Sequence, residues 1–167
     1  MKKKVKLEDY SRANKLCEKH GVEAMNSVMI GLPGETEQTI EELSIWLSNA
    51  REVKQANCAI AVPYPGTEFN SMATAGTHGV ELLSEDFSEY LRYGKAVTNV
   101  GTLTAEDLIK KQNMMFVRIY SKWWRWKPMY NKHGFIGFGL LLLRVFRLWR
   151  QLLFDRAVTP VMTHPKN

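Results

Sequence analysis

The chain has 167 residues, 45% apolar and 24% charged, an ordinary balance for one globular domain with a real core. It is too short for a complete (β/α)8 barrel, which needs roughly 250 residues. The two cysteines, Cys17 and Cys58, are far apart, which excludes a disulfide framework or a metal-binding spacing and fits reduced thiols in a cytosolic protein. The net charge of +6 is uneven: residues 1–103 carry 11 Lys/Arg against 14 Asp/Glu, and residues 104–167 carry 12 against 3.

The basic start, Met1 to Lys6, mimics a signal peptide, but the charged Leu7-Glu8-Asp9-Tyr10 follows where an apolar core belongs, so secretion is rejected. Leu7, Tyr10, Ala13, Leu16 and Cys17 predict an amphipathic helix over 7–20, closed by Gly21. Residues 22–31 read as a strand that ends in a continuous apolar run, as a strand buried on both faces does. Thr36 is placed to cap a helix over about 37–53, with Ile40, Leu43, Ile45, Trp46, Leu47 and Ala50 as its apolar stripe. A second strand, 57–62, stops at Pro63. This alternation predicts parallel strands joined by a crossover helix. A short helix over 67–76, a turn at 76–79, an acidic stretch at 80–95 and a short third strand near 96–100 follow. Thr104, with Glu106 and Asp107 in the first turn, opens a long helix running to about residue 126 and stopping before Pro128.

Two loops stand at the carboxyl edge of the predicted strands, where parallel α/β sheets bind ligands. They are Gly31-Leu32-Pro33-Gly34-Glu35-Thr36 and Pro63-Tyr64-Pro65-Gly66-Thr67-Glu68. Glycine permits close backbone approach and proline stiffens the turn, so such loops are expected to present bare amide and carbonyl groups to a flat ligand such as adenine. Neither loop is a Walker A sequence or a GxGxxG fingerprint. His20 reads as a helix cap, and His78, His133 and His164 stand alone, without a partner at metal-ligand spacing. Glu85, Asp86 and Glu89 read as a solvated face, and no serine or cysteine triad signature is present.

The order strand, Gly-Leu-Pro-Gly-Glu-Thr, helix, strand, Pro-Tyr-Pro-Gly-Thr-Glu resembles the last strands of radical S-adenosylmethionine (radical SAM) enzymes, especially those associated with a cobalamin-binding domain. The resemblance covers about residues 5–130, including the Lys15-Leu16-Cys17-Glu18-Lys19-His20-Gly21-Val22 helix end and Thr104-Ala105-Glu106-Asp107-Leu108. It implies that Ile30, Gly31, Leu32, Val62 and Pro63 border the adenine of SAM, with Tyr64 and Glu68 on the substrate side. The family's CxxxCxxC motif has no counterpart here, so the chain alone is not expected to hold the [4Fe–4S] cluster or to turn over. The cluster, and cobalamin if used, would come from a missing N-terminal barrel half or a complementary chain. A C-terminal fragment, a split-gene product and a degenerate copy all fit.

The last third is basic and aromatic. Lys122-Trp123-Trp124-Arg125-Trp126-Lys127 interleaves cations with rings, and the apolar run 135–143 is too short to span a bilayer, which needs about 20 residues. On a helix over about 135–155, Arg144, Arg147, Gln151 and Asp155 form one polar stripe with Arg150 beside it. Trp123, Trp124, Trp126, Arg144, Arg147 and Arg150 are therefore the expected membrane or partner surface. Packing against the missing barrel or a partner subunit and peripheral attachment to an anionic membrane both suit this pattern; nucleic acid suits it least, since the large apolar face would be wasted there.

These readings give an α/β chain: residues 1–103 as the last strands of a partial (β/α) barrel of the radical SAM type, and 104–167 as a helical C-terminal extension. The function implied is to complete a SAM and substrate pocket. The alternative is a non-catalytic membrane- or partner-binding protein that keeps half a barrel. The expected location is the cytoplasm, with peripheral contact at the inner face of the membrane as an extension of that reading.

Overall fold

The structure, a computed structural model, describes residues 6–158, the side chains of residues 7 and 154–158 excepted. The first lysines, His164 and the side chains of Leu7 and Asp155 lie outside the described residues. Leu7–Lys19 forms α1, Met25–Ile30 β1, Glu37–Asn49 α2 and Gln55–Ile60 β2. β1 and β2 run parallel, in register from Met25↔Gln55 to Ile30↔Ile60, so β1, α2 and β2 make one crossover unit. The Thr36 hydroxyl accepts from the Thr39 N–H and starts α2 as expected. Ile40 and Leu47 of α2 share a buried core with Ile30 and Ile60, each such side chain contributing roughly 1.5–3 kcal/mol. α1 is tied to β1 by a reciprocal amide pair: Asn14 donates to Asn26 Oδ1 at 2.8 Å, and Asn26 donates to Asn14 Oδ1 at 2.9 Å.

The expected partial barrel gives way to a mixed α/β arrangement with two small, separate sheets. After α3 (Glu68–Ala75), β3 (Val80–Leu82) pairs antiparallel with β4 (Thr98–Val100). The strand expected near 96–100 therefore exists but does not extend the parallel pair. Its connection to β3 contains a short 3-10 turn and no crossover helix, so the two strands meet as an antiparallel pair.

The two edges of the parallel pair differ. The outer edge of β2 is closed by groups that imitate a strand. The Ile60 N–H donates to Arg92 O at 2.9 Å, Gln112 Nε2 donates to Cys58 O at 2.7 Å, and the Tyr120 hydroxyl donates to Ala56 O at 2.7 Å. Gln112 and Tyr120 both come from α4 (Ala105–Tyr120). The outer edge of β1 has no strand partner among the described residues. Met25 and Met29 of β1 are 54% and 43% exposed, large values for apolar strand residues.

The helix expected to reach residue 126 ends at Tyr120. A 3-10 turn, Trp123–Arg125, redirects the chain into α5 (Trp126–Val158), which is broken at Gly134 (φ 64°, ψ −174°). Pro128 lies in the first turn of α5, where its missing N–H costs no helical hydrogen bond. The second arm of α5 starts at residue 135 and packs Phe138, Leu141 and Val145 against the core.

Arg125 is 0% exposed. Its guanidinium donates to five main-chain carbonyls: Val53, Ser48, Ile119, Leu47 and Ala50, at 2.7–3.1 Å. All five of its N–H donors are thus satisfied. Leu47, Ser48 and Ala50 close α2, whose last turn has no basic residue of its own, and Ile119 belongs to the last turn of α4. Arg125→Lys keeps the charge but brings three donors to five carbonyls. It should cost at least about 3 kcal/mol, read as a lower urea midpoint with an unchanged denaturant slope.

Candidate functional site

The expected site lies at the carboxyl edge of β1 and β2. The Ala61 N–H donates to Ile30 O at 2.8 Å, which carries the strand pairing one residue beyond β2 and sets Ile30 beside the start of the second loop. Ile30 is fully buried, Gly31 and Pro63 are buried, and Leu32 and Val62 are half-buried. Gly31 has φ +83°, and a Cβ there would lie 3.2 Å from Leu108 Cδ1 of α4. Glycine is thus required by the turn and by the helix packed beneath it.

The first loop does not present bare amides. Glu35 folds back on it, and its Oε2 accepts from the Gly31 N–H at 2.7 Å and the Leu32 N–H at 3.2 Å. Among the described residues Oε1 has no hydrogen-bond partner. Glu35 stands just ahead of α2, where a carboxylate complements the helix dipole, and it closes the loop as well. Burial raises its pKa above the usual carboxylate range, and the two backbone bonds oppose that shift. The nearby Cys58 thiol is pushed up to about 12, first by burial and then by the Glu35 charge, so it stays protonated and inert at neutral pH.

Tyr64 is about half exposed and leans on Tyr90, its hydroxyl donating to Tyr90 O at 3.5 Å and the rings meeting edge-on at 6.2 Å. Glu68 is exposed in the first turn of α3. The strand pairing thus brings Ile30, Gly31, Leu32, Val62 and Pro63 to one edge, while Tyr64 turns toward the segment after β3.

The six tail residues separate. Trp123 is exposed, but Trp124 is half-buried, with Arg51, Lys122 and Arg125 over its ring at 5.3, 5.5 and 5.9 Å. Trp126 donates from Nε1 to Tyr120 O at 3.1 Å. Arg144 lies over the Phe116 ring at 4.6 Å and lines a cavity of about 450 Å3 with Asn57, Tyr93 and Tyr120. Arg147 and Arg150 are exposed. Arg125, quoted in the sequence only as one cation of a basic aromatic run, is the buried clamp described above.

No protein-family model and no solved structure matches the chain. A protein of Pyrococcus horikoshii described as an uncharacterized methyltransferase is 29% identical over 125 residues, covering 74% of this chain and 26% of that protein. The chain thus spans about a quarter of the length of the curated relative it matches. This finding replaces the radical SAM resemblance, because the relative is described as a methyltransferase and no radical SAM family is found. The iron–sulfur expectation falls with it: among the described residues, no group of three or more His, Cys, Asp or Glu side chains is arranged to hold a metal ion. Cobalamin rested on the same resemblance and has no other support.

The Glu35 shift has a measurable consequence. Its folded pKa lies above the unfolded one, so the folded state holds the proton more tightly, and its contribution to stability falls as pH rises from the unfolded value through the folded one. Urea unfolding of wild type and Glu35→Gln from about pH 4 to about pH 7 should show the variant gaining on the wild type as pH rises. A stability difference that stays constant across that range contradicts the assignment.

Proposed function

We propose that this chain supplies one wall of an S-adenosylmethionine and substrate pocket in a methyltransferase, and that it does not transfer methyl groups alone. The observation that carries this reading is the carboxyl edge of the crossover unit, where two loops meet and one Glu35 oxygen has no partner among the described residues. The name of the relative supports the cofactor class.

The residues fit S-adenosylmethionine in part. Leu32 and Val62, half-buried beside Ile30, Gly31 and Pro63, offer apolar cover for the adenine. The free Glu35 oxygen is an acceptor for a ribose hydroxyl, a role carboxylates at this edge of parallel sheets serve. Residues 31–36 and 61–68 contain no Lys, Arg or His, so the methionine carboxylate needs a cation from outside these loops. Bound S-adenosylmethionine supplies an electrophilic methyl group. The part of this chain is to orient the nucleoside end, with Tyr64 and Glu68 toward the substrate. The unpaired edge of β1 is where the rest of such a pocket would join.

Titration of the isotope-labelled chain with S-adenosylhomocysteine, followed by amide NMR, tests this reading. Fast-exchange shifts are expected at Gly31, Leu32, Glu35 and Ala61, and Glu35→Ala should weaken binding about tenfold or more, the loss of a hydrogen bond to a charged group. The chain by itself should methylate nothing. The absence of shifts at these amides, or shifts confined to other elements, would overturn the reading.

A further inference from the structure

The second arm of α5 has more apolar surface than its packing uses. Phe138, Leu141 and Val145 face the core, yet Phe135 and Ile136 are 81% and 77% exposed, and Leu140, Leu143 and Phe146 are all more than half exposed. At 100° per residue, Ile136, Leu140, Leu143, Arg147 and Arg150 fall on the side opposite the packed stripe. The outer face is thus apolar in its first half and cationic in its second. An apolar outer face on a helix whose inner stripe is already packed calls for cover by protein or by lipid. No helix among the described residues is long and apolar enough to cross a membrane. Seventeen residues of rise from Ile136 to Leu153 give about 26 Å, a length suited to lying along a surface.

Charge selects the occupant. Between Asp107 and Asp155 the sequence holds ten Lys or Arg and no Asp or Glu; Arg125 is buried and Lys110, Lys111, Arg118 and Lys132 pair with Glu106, Glu37, Glu41 and Glu23, but Arg147 and Arg150 lie exposed on the outer face of α5. A second copy would bring the same charge against itself. The exposed ring of Trp123, in the turn that leads into α5, is of the type enriched where lipid tails meet headgroups.

We propose that the outer face of α5, from Ile136 to Arg150, is a docking surface for an anionic lipid membrane, on which the helix lies flat. The apolar side chains enter the acyl boundary, while Arg147 stays at headgroup level. The face is independent of the loops at 31–36 and 63–68, so it stands whether or not the chain binds S-adenosylmethionine.

Cosedimentation of the full chain with vesicles tests this, comparing pure phosphatidylcholine with phosphatidylcholine containing phosphatidylglycerol. Binding is expected to the anionic vesicles and to weaken with salt. Arg147→Glu should reduce it about tenfold or more while leaving the circular dichroism spectrum unchanged. The double variant Ile136→Ser, Leu143→Ser, at exposed positions, should abolish binding with the fold intact. Equal binding to both vesicle types, or none to the anionic ones, overturns the proposal. Self-association that the double variant removes, without vesicle binding, would instead make the face an interface between copies.

Discussion

The Arg125 guanidinium sits where the carboxyl ends of α2 and α4 converge, and five main-chain carbonyls share it. Each helix end carries about half a negative charge, and two such ends brought together in a dry interior repel. An apolar side chain there would leave carbonyls unsatisfied, at about 1–3 kcal/mol each. One delocalised cation with five donors answers both problems, although burial itself lowers the Arg125 pKa from its ordinary range. The clamp fixes the approach of α4 to the crossover unit. On that side Arg118 pairs with Glu41 of α2 at 2.6 Å, and Lys111 pairs with Glu37.

The position of α4 in turn decides what the parallel pair can become. With α4 in place, Gln112 and Tyr120 supply side-chain donors to the carbonyls of β2 that an additional strand would otherwise engage. Gln112 behaves almost as a peptide group, since its Oε1 also accepts from the Gly94 N–H at 2.8 Å. The sheet therefore terminates at β2 because its hydrogen bonds are already made. β1 has no equivalent among the described residues. The asymmetry makes the loops at residues 31–36 and 63–68 the end of a sheet sealed on one flank and open on the other, a wall more than an enclosed pocket.

How much of this was legible follows from the range of each interaction. The crossover unit was written in local pattern: an apolar run, a Thr cap, a helical stripe, another apolar run. Thr36 and Thr104 perform the capping their positions implied. Arg125 was hidden because its partners lie up to 78 residues away and its neighbours, Trp123, Trp124, Trp126 and Lys127, disguised it as part of a surface run. Glu35 was legible only in part: a carboxylate just ahead of α2 complements the helix dipole, but a side chain turning back onto its own loop leaves no mark in the sequence. β3 has three residues, too few to show a period. The glycine–proline loops report a turn at the end of a parallel strand, a requirement that unrelated α/β proteins share. They carried the local architecture correctly and the family resemblance incorrectly.

α4 is the element through which the remaining features communicate. Its first turns place Leu108 against Gly31, its middle seals β2, its last turn meets Arg125, and its flank receives the inner stripe of α5. Gly31 has room for a hydrogen and little else beside Leu108, so a shift of α4 along its axis of even a few tenths of an ångström must be felt in the loop that Glu35 closes. The inner face of α5 is committed to that same rod, while its outer face is left to the surroundings. The charge asymmetry of the chain follows the same division: the acidic surplus lies with the crossover unit and its loops, and the basic surplus lies with the helices that cover it.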